Sequence, residues 1–154
     1  QLWNTFHRPK LLRKNMEACL TDLGLAYVDH VQLHYSFAMV PTDDETILVP
    51  RHANGDAHLD DEVSLKETWK AMESLVDDGL AKSIGVSNFT KEEVESVMED
   101  ARIMPSVLQV EIHPYLNNSD LLDWCKDQGV HVTAYAPLGN VNAQFASALE
   151  DPVI

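Results

Sequence analysis

The sequence predicts a single domain of the α/β class, built from repeated strand and helix units around a parallel sheet. Short runs rich in β-branched residues begin near residues 82, 107 and 130, at intervals of 23 to 25 residues. Amphipathic helical patterns lie between these runs, and turn residues close each of them. Regular alternation of strands and helices is typical of right-handed crossovers between parallel strands. We therefore expect four such units in one domain that spans residues 1–154.

The first elements of this pattern lie near the amino terminus. Residues 1–5 are expected to be the end of a strand. Arg8-Pro9 begins a helix that ends at Gly24, because proline suits the first turn of a helix and glycine suits the residue after its end. A strand over residues 27–34 follows. The apolar face of the helix carries Leu12, Met16, Cys19, Leu20 and Leu23.

Residues 36–61 are predicted to form a long loop. This segment contains Pro41, Pro50, the turn pair Asn54-Gly55 and many acidic residues, with a short apolar run at residues 47–49. It leaves room for a small hairpin. Loops of this length in compact domains are usually functional or mobile.

Two capping boxes predict where the next helices begin. In a capping box, a Ser or Thr and a Glu three residues later each bond to the backbone N–H of the other. Residues 64–67 and 90–93 both have this pattern. A fourth helix is expected to begin at Asn117 or Asn118. The remaining strands are expected over residues 82–86, 107–112 and 130–135.

The composition excludes several classes of protein. The net charge of −14, from 25 acidic and 11 basic residues, repels nucleic acid and anionic membrane surfaces, so we expect neither partner. The sequence contains no run of about 18 apolar residues and does not open with a charged and then apolar segment, so we expect neither a spanning helix nor a secretory signal. Cys19 and Cys125 lie in apolar helical patterns, which favours buried thiols in a reducing compartment and a cytoplasmic location. Histidine spacing indicates no metal site, and nothing indicates an oligomeric state.

Polar or aromatic residues end the apolar runs at four predicted strands. Because the carboxyl ends of parallel strands meet at one edge of a sheet or one mouth of a barrel, ligands bind there. We therefore expect a binding site at this edge. The residues placed there are His34, Ser87, Asn88, Gln109 and Tyr135.

These residue types suit a bound carbonyl oxygen, a planar carboxamide and a planar ring. His34 can donate a hydrogen bond to a bound carbonyl oxygen. Ser87 and Asn88 can hold a planar carboxamide, Gln109 can add another amide contact, and Tyr135 can lie against a ring. Each has a structural alternative: His34 and Gln109 as hydrogen-bonded buried residues, Ser87 and Asn88 as helix caps, and Tyr135 as core. The residues alone leave both interpretations open.

Several blocks of the sequence resemble the aldo-keto reductase family, in matching order and spacing across nearly the whole chain. The most specific block runs from Gly79 to Phe89 and includes Ile84-Gly85-Val86-Ser87-Asn88-Phe89. The first block is Leu2-Trp3-Asn4-Thr5, followed by His7-Arg8-Pro9. The others are residues 23–29, 109–115 and 134–139.

This resemblance implies a partial TIM (β/α)8 barrel, roughly strands 3 to 7 with their helices. It also implies NADPH-dependent reduction of aldehydes or ketones to alcohols, without a metal. In the family, a tyrosine tuned by a lysine and an aspartate protonates the carbonyl oxygen, and a histidine orients it. His34 matches this histidine. Six further positions match the family's contacts to NADP(H): Ser87, Asn88 and Gln109 to the carboxamide, Tyr135 to the ring, and Leu138 and Asn140 to the pyrophosphate. Trp3 and Tyr35 match positions that line the substrate pocket.

The chain departs from the family pattern at the lysine. Gln1 stands at the matching position, and a neutral amide supplies no positive charge to lower the pKa of a neighbouring tyrosine. The aspartate and tyrosine are expected before Gln1, the loop for the 2′-phosphate beyond Ile154, and Asn140 stands where serine is common. An alternative is therefore a catalytically silent homologue that binds nucleotide or a protein partner. A metal-free lyase or phosphate-binding TIM barrel is a weaker alternative, since residues 139–142 poorly match a phosphate-binding loop.

Overall fold

The computed structural model describes residues 1–44, 46–139, 148 and 151, and its centre is a four-stranded parallel sheet. Neighbouring strands follow chain order, as expected for sequential right-handed crossovers. The strands are β1 (Val28–Leu33), β2 (Ala81–Ser87), β3 (Val107–Glu111) and β4 (His131–Tyr135). The helices are α1 (Pro9–Leu23), α2 (Leu65–Asp77), α3 (Lys91–Asp100) and α4 (Ser119–Gln128).

The amino-terminal segment contributes less to the sheet than the sequence predicted. Leu2 pairs with Leu33 of β1 as an isolated parallel bridge, and a 3₁₀ turn begins two residues later at Asn4–Phe6. The side-chain amide of Asn4 donates to the Phe37 carbonyl at 2.8 Å, so this residue binds the loop after β1 and not the sheet. Where five strands were expected, the described residues form four strands and a single-residue bridge.

One face of the sheet packs against the helices and forms the apolar core. Leu33, Ile84, Val86 and Leu108 point to this face and are fully buried. The helices contribute Leu12, Met16, Leu20, Trp69, Met72, Leu75, Val94, Val97 and Cys125.

Two residues of α1 differ from their predicted burial. Leu23, predicted to face the core, is 62% exposed, because α1 ends there and Gly24 turns the chain away at a φ of 66°. Cys19, on the same predicted face, is only half-buried.

The helix starts are close to those predicted. Both capping boxes are present, and α2 and α3 begin directly after Ser64 and Thr90. Before α4, Asn118 occupies the cap position, but its side chain makes no cap bond; Nδ2 donates instead to the Glu111 carbonyl at 2.8 Å. Within the described residues, no helix is long and apolar enough to cross a lipid bilayer.

The other face of the sheet is polar. His30 and Ser83 lie opposite each other in β1 and β2, with 2.9 Å between Nδ1 and Oγ. Gly85 follows on the same face of β2. A Cβ at this position would lie 2.6 Å from the Val107 carbonyl oxygen of β3 and 2.8 Å from the His30 ring. Glycine is therefore required where β2, β3 and the imidazole approach one another.

The long loop after β1 folds back and is anchored at its end. Two antiparallel bridges confirm a hairpin, and they join Met39 with Leu59 and Arg51 with Ala57. Arg8, just before α1, donates from Nε and Nη2 to the two carboxylate oxygens of Asp60, at 2.7 and 3.0 Å. This guanidinium holds the pKa of the buried Asp60 carboxyl below its usual value. The anchor ties the end of the loop to the start of α1.

Candidate active site

The turn between β2 and α3 joins three strand ends at the carboxyl edge of the sheet. Asn88 has a φ of 57°, a left-handed conformation that asparagine tolerates better than most residues. Its Nδ2 donates to the His34 carbonyl at 2.9 Å and to Ser87 Oγ at 3.2 Å. Its backbone N–H donates to the Gln109 carbonyl at 2.9 Å. Four predicted site residues are therefore linked by direct hydrogen bonds.

The imidazole of His34 lies within an aromatic cluster. Its centroid is 4.7 Å from the Trp3 ring and 4.8 Å from the Tyr35 ring, and Phe37 extends the cluster at 5.3 Å from Tyr35. Partial burial lowers the pKa of His34 below its ordinary value, so the ring is neutral at neutral pH and keeps one N–H to donate. The residues predicted to line a substrate pocket are thus the neighbours of His34. Phe37 was missed because it follows a strand in a loop without periodicity.

The polar groups beside His34 match a carboxamide in hydrogen-bonding capacity. Ser87 is buried, and Gln109 Oε1 accepts a bond of 2.7 Å from Gln1 Nε2. Among the described residues we find no acceptor for the Ser87 hydroxyl or Gln109 Nε2, and no donor to Asn88 Oδ1. A carboxamide presents one carbonyl acceptor and an NH₂ donor, so these donors and this acceptor fit it.

The last strand brings Tyr135 to the same edge. Tyr135 lies opposite Glu111 in β3, two residues beyond Gln109, and therefore on the same face of the sheet. Burial, the nearby Glu111 carboxylate and Tyr35 raise the pKa of Tyr135, which keeps its phenol neutral. Leu138 lies half-exposed in the turn after β4. Asn140, the other residue predicted to contact a pyrophosphate, lies outside the described residues.

Sequence analysis did not select a polar pair beside Tyr135. Glu111 Oε1 lies 3.2 Å from His113 Nε2, at the carboxyl end of β3. The sequence does contain a signal for this pair, because two residues that are two positions apart in an extended segment lie on the same face. Across the described part of the chain, no three His, Cys, Asp or Glu side chains are grouped to hold a metal ion.

Comparison with known proteins identifies relatives that match this chain over nearly its whole length. The model of the aldo/keto reductase family matches residues 1–148. Aldo-keto reductase family 1 member C15 of Rattus norvegicus is 41% identical and is matched by 100% of this chain, over 49% of its own length. Prostaglandin-E(2) 9-reductase of Oryctolagus cuniculus gives the same three values. The chain thus spans about half the length of the curated relatives it matches.

Solved structures agree with this result. The aldose reductase structure from Giardia lamblia superposes with a TM-score of 0.91 at 41% identity, over 98% of this chain and 49% of that one. The aldose reductase from Schistosoma japonicum gives 0.84 at 44% identity, over 93% and 46%. The expected partial TIM (β/α)8 barrel is confirmed. With its sequential parallel strands, and with a family model matched over nearly its whole length, the chain belongs to the aldo-keto reductase family.

Proposed function

We propose that the protein to which this chain belongs reduces aldehydes or ketones to alcohols with NADPH. One observation carries the proposal: His34, Ser87, Asn88 and Gln109 are bonded together at one edge, with unused groups that suit a carboxamide. The names of similar proteins, aldose reductase and prostaglandin-E(2) 9-reductase, are those of carbonyl reductases.

His34 is proposed to orient the substrate. NADPH, when bound, supplies the hydride for the carbonyl carbon. The neutral imidazole of His34 donates its N–H to the carbonyl oxygen and so directs the carbon toward the nicotinamide. Trp3 and Tyr35, which pack on the ring of His34, exclude water and favour apolar carbonyl compounds.

The remaining site residues are proposed to hold NADP(H). Ser87 and Gln109 would donate to the carboxamide oxygen, and Asn88 Oδ1 would accept from its NH₂ group. Tyr135 would lie against the nicotinamide ring, where a neutral phenol presents an apolar face. Leu138 and Asn140 remain predictions for the pyrophosphate. We expect a small-molecule substrate, no metal, and a cytoplasmic location.

A second function is favoured by one residue. Gln1 stands where the family has a lysine, and its amide is bonded to Gln109. A neutral side chain there cannot lower the pKa of a neighbouring tyrosine. A homologue that binds nucleotide or a partner without turnover would tolerate this glutamine.

The full-length protein and its Gln1→Lys variant separate these two functions. We expect the unsubstituted protein to consume NADPH slowly with an aromatic aldehyde, and Gln1→Lys to raise the rate by about tenfold or more, since proton transfer contributes 10²-fold and above. Loss of NADPH absorbance measures the rate. Equal rates would contradict the role of the lysine position, and tight NADPH binding without turnover in either protein would support the silent homologue.

Two serines of β2 test the cofactor site. Ser87→Ala is expected to weaken NADPH binding by about tenfold, the effect of one lost hydrogen bond. Ser83→Ala is the matched control, because Ser83 lies four residues earlier on the same face but bonds to His30. Fluorescence titration with NADPH gives both dissociation constants. An equal loss in the two variants would indicate a general disturbance of β2 and contradict the assignment of Ser87.

A further inference from the structure

The third helix begins with a carboxylate that bonds outside its own helix. Glu93 completes the capping box, because its Oε2 accepts from the Thr90 backbone N–H at 2.8 Å. Its other oxygen, Oε1, accepts from the hydroxyl of Ser36 at 2.5 Å. Ser36 lies in the segment that leaves β1, 57 residues earlier in the chain. One carboxylate therefore ties the start of α3 to the end of a different strand.

This bond is one of two by which the start of α3 and the turn before it hold the segment carrying His34. The first is the bond from Asn88 Nδ2 to the carbonyl of His34 itself. The second, from Ser36 to Glu93, lies two residues further along. Both partners belong to the turn and first helical turn after β2, so residues 34–36 are fixed at each end to one rigid support.

The bond from Ser36 is of a strong kind. A hydroxyl that donates to an ionised carboxylate forms charge-assisted hydrogen bonds of about 2.5 to 2.7 Å. The capping bond fixes the carboxylate in turn, since Glu93 N–H also donates to Thr90 Oγ1 at 3.3 Å. Neither Ser36 nor Glu93 is fully exposed, so water competes less for the bond than on an open surface.

We infer that Glu93 is a positioning residue for His34, which acts through Ser36 and sets the direction from which the imidazole meets the substrate carbonyl. The inference rests on the function proposed above. Glu93 touches neither substrate nor cofactor in this role. It holds the backbone two residues after His34, and Asn88 holds the carbonyl of His34 itself, so the segment that carries the imidazole is fixed where the chain turns into the long loop.

The experiment uses the full-length protein, saturated with NADPH, and three substitutions at the contact. Ser36→Ala removes the bond and leaves the capping box intact. We expect kcat to fall by about tenfold while KM changes by less than about twofold, because small displacements of a reacting group mainly slow the chemical step. Ser36→Thr keeps the hydroxyl and is expected to restore kcat. Glu93→Gln is expected to retain most of it, since the amide can accept from Thr90 and donate to Ser36.

Glu67→Ala is the matched control. It breaks the capping box of α2, whose carboxylate bonds only within residues 64–67 among the contacts described. We expect a similar loss of stability and an unchanged kcat. A tenfold loss of kcat in Glu67→Ala as well would overturn the inference, because a general loss of stability would then explain both results.

A nuclear magnetic resonance signal tests the inference independently of turnover. The rings of Trp3 and Tyr35 lie with their centroids 4.7 and 4.8 Å from that of His34, so their ring currents are expected to shift the signal of the proton on Cε1 of His34. We expect this signal to move in Ser36→Ala and to stay in Glu67→Ala. If the unsubstituted protein is inactive but the signal moves, positioning stands and the proposed reductase function fails. If Ser36→Ala changes neither kcat nor the signal, the inference is wrong.

Discussion

The two capping boxes of this chain have the same local chemistry and different tertiary roles. At the start of α2, Glu67 Oε2 accepts from both the backbone N–H and the hydroxyl of Ser64, at 3.0 and 2.7 Å. At the start of α3, Glu93 bonds to the Thr90 backbone with one oxygen and to Ser36 with the other. The Glu67 carboxylate thus bonds within the first turn of its own helix. The Glu93 carboxylate connects its helix to the segment beside the aromatic cluster.

The difference follows from what precedes each helix. The long anchored loop leads into α2, and among the described contacts the cap carboxylate of this helix bonds to no strand end. A three-residue turn leads from β2 into α3, which places the α3 cap directly at the carboxyl edge of the sheet. Short connections in α/β folds bring helix starts to the edge where ligands bind. The same motif therefore acquires a role at the site from the length of its connection.

The largest expected effect comes from the histidine that the α3 box supports. His34→Gln in the full-length protein is expected to lower kcat by about 10²-fold or more, the range of general acid–base and orienting groups. If Ser36 acts only through His34, Ser36→Ala should have little further effect in that background, because the two residues form one unit. Steady-state kinetics of the double-mutant cycle measure this coupling. If the losses of kcat in the two single variants add fully in the double variant, Ser36 does not act through His34.

The second effect concerns two asparagines with left-handed backbones. Asn88→Ala is expected to lower the free energy of unfolding by about 2 kcal/mol, about half from the lost hydrogen bond and half from alanine at a positive φ. Asn118 is the matched control, because it also has a positive φ and donates Nδ2 to the carbonyl of a strand end. Urea denaturation should show similar losses.

The two asparagine variants should differ at the site. Asn88→Ala is expected to shift the His34 proton signal and Asn118→Ala to leave it unchanged, since the carbonyl that Asn118 binds belongs to Glu111. Equal shifts in both variants would contradict the proposal that Asn88 holds residues 34–36 in place.

A smaller effect separates the cap hydroxyls from the carboxylates. Ser64→Ala and Thr90→Ala are each expected to cost about 1 kcal/mol of stability, the usual value for a lost N-cap. Thr90→Ala keeps the Glu93 carboxylate and its bond to Ser36, so kcat should hardly change. Thermal unfolding and steady-state rates provide the two readouts. A large loss of kcat in Thr90→Ala would show that the hydroxyl, too, supports His34.

The smallest effect is a pH dependence of the α2 box. Bonds from the backbone N–H and hydroxyl of Ser64 lower the pKa of Glu67 in the folded chain. Its contribution to stability is therefore present above the unfolded pKa and is lost as pH falls through the lowered folded value. The difference in Tm between the protein and Glu67→Gln should shrink from neutral pH to about pH 3. A constant difference would contradict this origin.

The local features of the fold could be predicted from the sequence. The capping boxes involve four residues each, and the strand runs alternate with them, so helix starts and strand positions followed from near neighbours. The edge that gathers His34, Ser87 and Gln109 was also predicted, because parallel strands end on the same side of a sheet. Which role each plays in binding stays a prediction.

The long-range features could not be predicted. The bond between Ser36 and Glu93 spans 57 residues and depends on two turns that meet only after β1 and β2 pair. The bond of 2.5 Å from Trp3 Nε1 to the Leu48 carbonyl likewise depends on how the loop folds back. The short first strand was over-predicted because Asn4 finds its partner in that loop, which periodicity does not reveal.

Gly85 allows β2 and β3 to lie close together beside the candidate site. The carbonyl of Val107 approaches β2 at the place where any larger residue would collide with it. Ser87 and Gln109 stand directly opposite each other two residues further along the same pair of strands. An added methyl group at Gly85 would wedge the strands apart and widen the gap that a single amide must span. Recognition by two side chains would thus be governed by a neighbour that has none.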